Sequence, residues 1–167
     1  MSIKPDLVEC WVFRVASSGV EILLLRRAPH RIFPGLWQCV TGGVESGERV
    51  PAAALREVRE ETGFGAADIE AFYDLDQVAP FYDDGADAVV VSAIFAVRVR
   101  PDGIPRLSHE HDALRWLPAD EVPGAVVWPS YAASVRRVAE VLTDSDRERW
   151  FRLDADGRRI ARRPLEG

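Results

Sequence analysis

Apolar, β-branched-rich positions fill Leu7 to Ala16 and again Val20 to Arg27, and Ser17-Ser18-Gly19 separates the two runs. Glycine supplies the backbone freedom of a tight turn, so this pattern predicts a β-hairpin. Pro29, Pro34 and Gly35 then mark a loop before a short strand over Trp37–Thr41. Further strands are expected at Ile69–Pro80, Ala88–Arg100 and Ala113–Leu117, with a turn at Arg100–Arg106. Between Arg49 and Thr62 the periodicity changes from two to 3.6, putting Ala54, Leu55, Val58 and Thr62 on one helical face. Pro51 suits the first turn of that helix, and Gly63 stands where a helix stops. A second amphipathic helix closes the core region, with Tyr131, Val135, Val138, Ala139 and Leu142 inward and Arg136, Arg137 and Glu140 outward. Strands and helices alternating in this way predict a mixed α/β sandwich.

From Thr143 the pattern gives way to dense charge of both signs, including Arg158-Arg159-Ile160-Ala161-Arg162-Arg163. Two readings stay open there: a hairpin turning at Asp154–Gly157 with Trp150 and Phe151 docked on the body, or a solvated, frayed end. The organisation expected is therefore a domain over residues 1–143 and a charged C-terminal extension over 144–167.

Length and composition narrow the class without naming a chemistry. At 167 residues the chain fits one domain with a real core, and 47% hydrophobic with 29% charged residues is globular. The longest apolar run, Ala88 to Val97, is broken by Ser92 and too short to span a bilayer. Asp6 and Glu9 interrupt the place where a signal peptide needs an apolar run, so a cytoplasmic protein is expected. A net charge of −6 argues against sequence-independent binding to nucleic acid and leaves small phosphorylated ligands open. Cys10 and Cys39 form no CxxC pair and read as buried small hydrophobes.

The candidate chemistry lies in the first helix. Glu57, Glu60 and Glu61 fall on a stripe beside its apolar face, and like charges at that spacing repel. Converging carboxylates match hard divalent cations such as Mg²⁺ or Mn²⁺, which prefer oxygen ligands. The Gly42-Gly43 pair lets the backbone approach a ligand closely, Glu48 comes from the following loop, and Arg56 is placed to hold a carboxylate in a fixed orientation. Taken as a charge run alone, the stripe is better explained as a solvated face, and it is the surrounding pattern that turns the reading toward a site. His30, His109 and His111 read as loop histidines, because an oxygen-rich site needs no imidazole. Trp37 is read either as a stacking platform or as packing beside the core.

Gly42, five residues, Glu48, seven residues, then Arg56-Glu57-Val58-Arg59-Glu60-Glu61-Thr62-Gly63-Phe64 resembles the Nudix hydrolase signature, departing from it at Phe64, where the family usually has an aliphatic residue. The resemblance implies a Nudix-type α/β/α sandwich with a mixed β-sheet, and hydrolysis of a diphosphate linked to another group with Mg²⁺ or Mn²⁺. Carried onto this chain, it makes Glu57 and Glu61 the principal metal ligands and Glu60 a further one, with the Gly42 backbone also at the metal. Arg56 would orient Glu57, and the loop from Gly42 to Glu48 would wrap the site. "LWQCVTGGVESGE" and "EHDALRWL" are similar to the branch of bacterial dihydroneopterin triphosphate and dATP pyrophosphohydrolases. By that likeness Glu110 would be an extra metal ligand or the base, and Arg26 and Thr41 would contact substrate phosphates or head group. The function expected is release of pyrophosphate from a nucleoside or pterin triphosphate by a monomer or homodimer, without nucleic-acid or membrane partners. Pro80 points instead to ADP-ribose and Tyr82 to dinucleoside polyphosphates, and a non-catalytic Nudix-fold sensor is the alternative from another class.

Overall fold

A computed structural model describes residues 2–162. Its strands are β1 (Leu7–Ala16), β2 (Gly19–Arg27), β3 (Trp37–Gln38), β4 (Val40–Gly43), β5 (Ile69–Asp83), β6 (Ala88–Val99), β7 (His111–Pro118) and β8 (Arg152–Leu153). Its helices are α1 (Val50–Thr62) and α2 (Pro129–Val141). The strands form a single sheet in the order β3-β2-β1-β6-β5-β8, with β4 also paired to β1 and β7 to β2. β1 and β6 run parallel and the other pairs antiparallel, so the sheet is mixed.

The pleat of β1 builds the two layers around this sheet. Successive side chains leave a strand on opposite faces, so Trp11 and Phe13 pack with Tyr131, Val135 and Val138 of α2. Val8, Cys10 and Val12 pack instead with Ala53, Ala54 and Val58 of α1. One helix on each face gives the expected α/β/α sandwich with a mixed sheet. Phe64, the position where the signature departs from the usual aliphatic residue, is buried in the α1-side layer.

Several boundaries differ from the sequence reading, each for a tertiary reason. The single strand expected over Trp37–Thr41 divides at Cys39, because Trp37-Gln38 pairs with β2 whereas Val40–Gly43 pairs with β1. The strand expected from Ala113 begins at His111, which pairs with Arg27 across an irregularity in β2. β5 runs on to Asp83, forming with β6 a long hairpin whose outer half leaves Val78, Phe81, Tyr82 and Val89 exposed. Residues 148–162 lie against the sheet: β8 pairs with β5, Leu153 bridges to Arg159, and the Gly157 N–H donates to the Asp154 carbonyl. Phe151 packs on the α2-side layer, whereas Trp150 is 53% exposed and does not dock as expected. Residues 163–167, including Arg163, lie outside the described residues. Among the described residues no helix is long and apolar enough to cross a membrane.

Candidate active site

α1 carries the acidic stripe because its two ends are fixed. Pro51 occupies its first turn, and at its C-terminal end Gly63 adopts a left-handed conformation (φ 74°) that lets its N–H donate to the Arg59 carbonyl at 2.9 Å. Burial of Ala53, Ala54 and Val58 against the sheet fixes the rotation of the helix, and so aims Glu57 and Glu61 at the end of β4.

Arg56 organises the carboxylates around it. Its guanidinium donates through Nε and Nη2 to the two oxygens of Glu48 at 2.9 and 3.0 Å, and through Nη1 to Glu57 at 2.6 Å and Glu60 at 3.3 Å. Nη2 also donates to the Gly43 carbonyl at 2.8 Å, tying the helix to the glycine turn. A planar fork of donors is what allows one side chain to hold three carboxylates and a carbonyl at once. The guanidinium beside Glu48 holds that carboxyl below its usual range. Glu57 is pushed up, chiefly by burial and against the pull of Arg56.

The absence of a side chain at Gly42 makes room for Glu57. A Cβ built there would lie 2.0 Å from the Glu57 carboxyl carbon. Glu61 sits deeper, 3% exposed, with Oε2 making no hydrogen bond and the Thr41 backbone N–H donating to its carboxylate. Burial, followed by the charges of Glu57 and Glu110, raises its pKa to about 9. The His111 Nε2 is 3.9 Å from Glu61 Oε2, but burial lowers that imidazole to about 4, so both groups are neutral near pH 7 and form no ion pair.

These contacts test the fit to a hard cation. A buried carboxylate oxygen without a partner is costly unless a cation satisfies it, and Glu61 has such an oxygen beside Glu57. Oxygen donors without thiolate suit Mg²⁺ or Mn²⁺. Among the described residues no three or more carboxylate, imidazole or thiolate side chains are grouped so as to hold a metal ion by themselves. A cation held here would take part of its shell from water and substrate phosphates, which is the habit of Mg²⁺.

The remaining candidates fall into two groups. Glu110 lies near enough for its charge to raise Glu57 and Glu61, and it is paired with Arg31 at 2.8 Å. Thr41 joins the acidic cluster through its backbone, and its hydroxyl accepts from Gln38 Nε2 at 3.3 Å. Arg26 and Trp37 stand together elsewhere on β2 and β3: Arg26 bonds Asp112 at 2.7 Å and lies 5.8 Å from the Trp37 ring centroid. Arg115 covers Trp37 at 4.2 Å, and the ring packs on the α2-side layer. No hydrogen bond or ion pair among the described residues links Arg26 to Glu57, Glu60 or Glu61.

Several residues near the site stand otherwise than the sequence reading had them or went unread. His111, expected in a loop, is a buried strand residue that faces Glu61 and meets Gln38 Nε2 at 3.3 Å. His109 is in the preceding turn, stacked on His30 with ring centroids 6.3 Å apart. Arg31 holds Glu110, and Arg27 donates to Gln38 at 3.3 Å and to the Ile32 carbonyl. Glu9, read only as an interruption of an apolar segment, is buried in β1 opposite Thr41, with one oxygen unpartnered. Its charge, the sole one in the apolar run from Leu7 to Phe13, was the available signal. Burial raises both cysteine thiols well above their usual range, so neither is a ready nucleophile.

The family model of the NUDIX domain matches residues 8–138. An octanoyltransferase of Myxococcus xanthus is 41% identical over 108 residues, covering 64% of this chain and 28% of that protein. Nucleoside triphosphatase NudI of Escherichia coli O139:H28 is 55% identical over 49 residues, covering 29% of this chain and 35% of NudI. The chain thus spans about a third of the length of these relatives. The E. coli dihydroneopterin triphosphate pyrophosphohydrolase structure superposes with a TM-score of 0.70 at 23% identity, covering 81% of this chain and 95% of that one.

Proposed function

The chain belongs to the Nudix family of hydrolases, enzymes that cleave phosphoric anhydride bonds, and from that premise we propose that it releases pyrophosphate from a nucleoside or pterin triphosphate. The observation that carries this reading is the buried, unpartnered Glu61 oxygen beside a Glu57 that Arg56 holds in place. The likenesses to NudI and to the dihydroneopterin triphosphate enzyme support the triphosphate as substrate class.

In this reading Glu57 and Glu61 would hold one or more divalent cations with Glu60 at the margin, and Gly42, having no side chain, leaves the Glu57 carboxyl its place. Such a cation would neutralise phosphate oxygens and lower the pKa of an attacking water. Glu110, kept in place by Arg31, takes the proton as the water oxygen bonds to phosphorus and the anhydride bond breaks. The products are the monophosphate and pyrophosphate. Thr41 and Arg26 are assigned to the substrate. The Trp37 ring is assigned to its head group, which would have to displace Arg115 or use the ring's other face.

Product analysis with Mg²⁺ on nucleoside triphosphates, dihydroneopterin triphosphate, ADP-ribose and diadenosine tetraphosphate tests the proposal. Pyrophosphate release from one of the triphosphates is expected. Preference for ADP-ribose or the dinucleotide would overturn the substrate class, and hydrolysis unchanged in Glu57→Gln and Glu61→Gln would overturn the site.

A further inference from the structure

The outer half of the β5–β6 hairpin leaves an apolar strip uncovered. Val78, Pro80 and Tyr82 pair across the hairpin with Ala93, Val91 and Val89, so the pleat gathers all six onto one face. Val78, Tyr82 and Val89 are 64, 61 and 66% exposed. Apolar side chains lined up in this way on a long strand pair are what a partner surface covers.

Each end of the strip carries charge, and the signs are opposite. At the inner end, Val78, Val91, Ala93 and Phe95 floor a cup of about 910 Å³ whose wall carries Arg49, Arg158, Arg159 and Arg162. Arg159 is bonded to Asp74, the acid that also lines the cup. Arg49, Arg158 and Arg162 form no ion pair among the described residues. At the outer end, the hairpin tip holds Asp83, Asp84 and Asp87. Asp83 accepts from the Gly85 and Ala86 N–H groups and Asp87 from the Tyr82 hydroxyl, and none of the three is ion-paired among the described residues.

We propose that this face is the interface of a twofold homodimer, strip against strip, with the tip aspartates of each subunit seated in the arginine cup of the other. The register supports the geometry. Pro80 lies opposite Val91 at the middle of the strip. A twofold axis there maps Asp87, four residues before Val91, onto Phe95, four residues after it, each about 13 Å from the axis. The negative tip then falls over the floor of the positive cup, and a surface that is apolar in the middle and opposite in charge at its ends is complementary to itself.

The test is sedimentation equilibrium on the full chain, in low and high salt, with hydrolysis as the check on folding. A dimer is expected for the natural sequence. Arg158→Glu with Arg162→Glu should weaken it by at least about tenfold, and adding Asp84→Arg and Asp87→Arg to the same chain should restore it. Val89→Glu should also give monomer. A natural chain that stays monomeric at every accessible concentration would overturn the proposal, as would a dimer indifferent to these changes. Pyrophosphate binding to a monomer that is lost with Arg158→Glu and Arg162→Glu would overturn it too, and would assign the cup to small anions.

Discussion

At Gly42 a single missing methyl group sets the geometry of the candidate site, because the Glu57 carboxyl group occupies the space a Cβ would need. Gly42→Ala must push Glu57 off its place or shift the β4 turn, and a displacement of about 1 Å costs on the order of 100-fold in rate. We expect kcat/KM to fall by about that factor with the fold intact by circular dichroism; activity within twofold of the natural protein would show that Glu57 need not stand where it does. The protonation of Glu61 gives a second expectation. With a pKa of about 9 it carries a proton at pH 7, and a cation must expel that proton to use the carboxylate. Affinity for Mn²⁺ should therefore rise as the pH climbs toward 9. Titration calorimetry at pH 7 in buffers of different ionisation enthalpy should show about one proton released, falling toward zero in Glu61→Gln. A heat that does not depend on the buffer would rule this out.

Among the elements, β1 shows how one polar residue changes a strand. Its side chains feed both layers, yet Glu9 sits among them 7% exposed, with burial lifting its pKa from 4.5 to about 7 despite a bond from Ser92. The unfolded chain ionises Glu9 near 4.5 while the folded chain keeps the proton until about 7. The stability of the neutral form is therefore complete below the lower value and is lost as pH rises through the upper one. The shift amounts to about 3 kcal/mol. Glu9→Gln keeps the shape without the titration, so relative to the natural protein it should gain most of that amount between pH 4.5 and pH 8. Urea midpoints across that range measure it, and parallel curves for the two proteins would mean that Glu9 ionises freely in the fold. The pattern of α1 was readable for the opposite reason: Pro51, the buried face and Gly63 all report local geometry.

Over the whole molecule, the segment after α2 adds a strand to the sheet and a side chain to the core. Leu153 is buried in the α1-side layer. Leu153→Ala should lower stability by about 2 kcal/mol in one cooperative transition. A loss within error of zero would mean that the tail does not share the stability of the domain.

The layered fold, the strand and helix periods, and the acidic stripe with its glycine turn and Arg56 were all legible along the chain. Those features depend on residues close along the chain, where pleat, helical pitch and backbone freedom impose a fixed spacing. Tertiary structure alone decided that Trp37–Gly43 splits between two partner strands and that His111 is buried against Glu61. It also decided that Arg31 holds Glu110, and that the cup draws its arginines from the start of α1 and from the C-terminal segment. Each of these joins residues far apart in sequence, and the proton on Glu61 follows from burial and neighbouring charges that exist only once the sheet has closed over it.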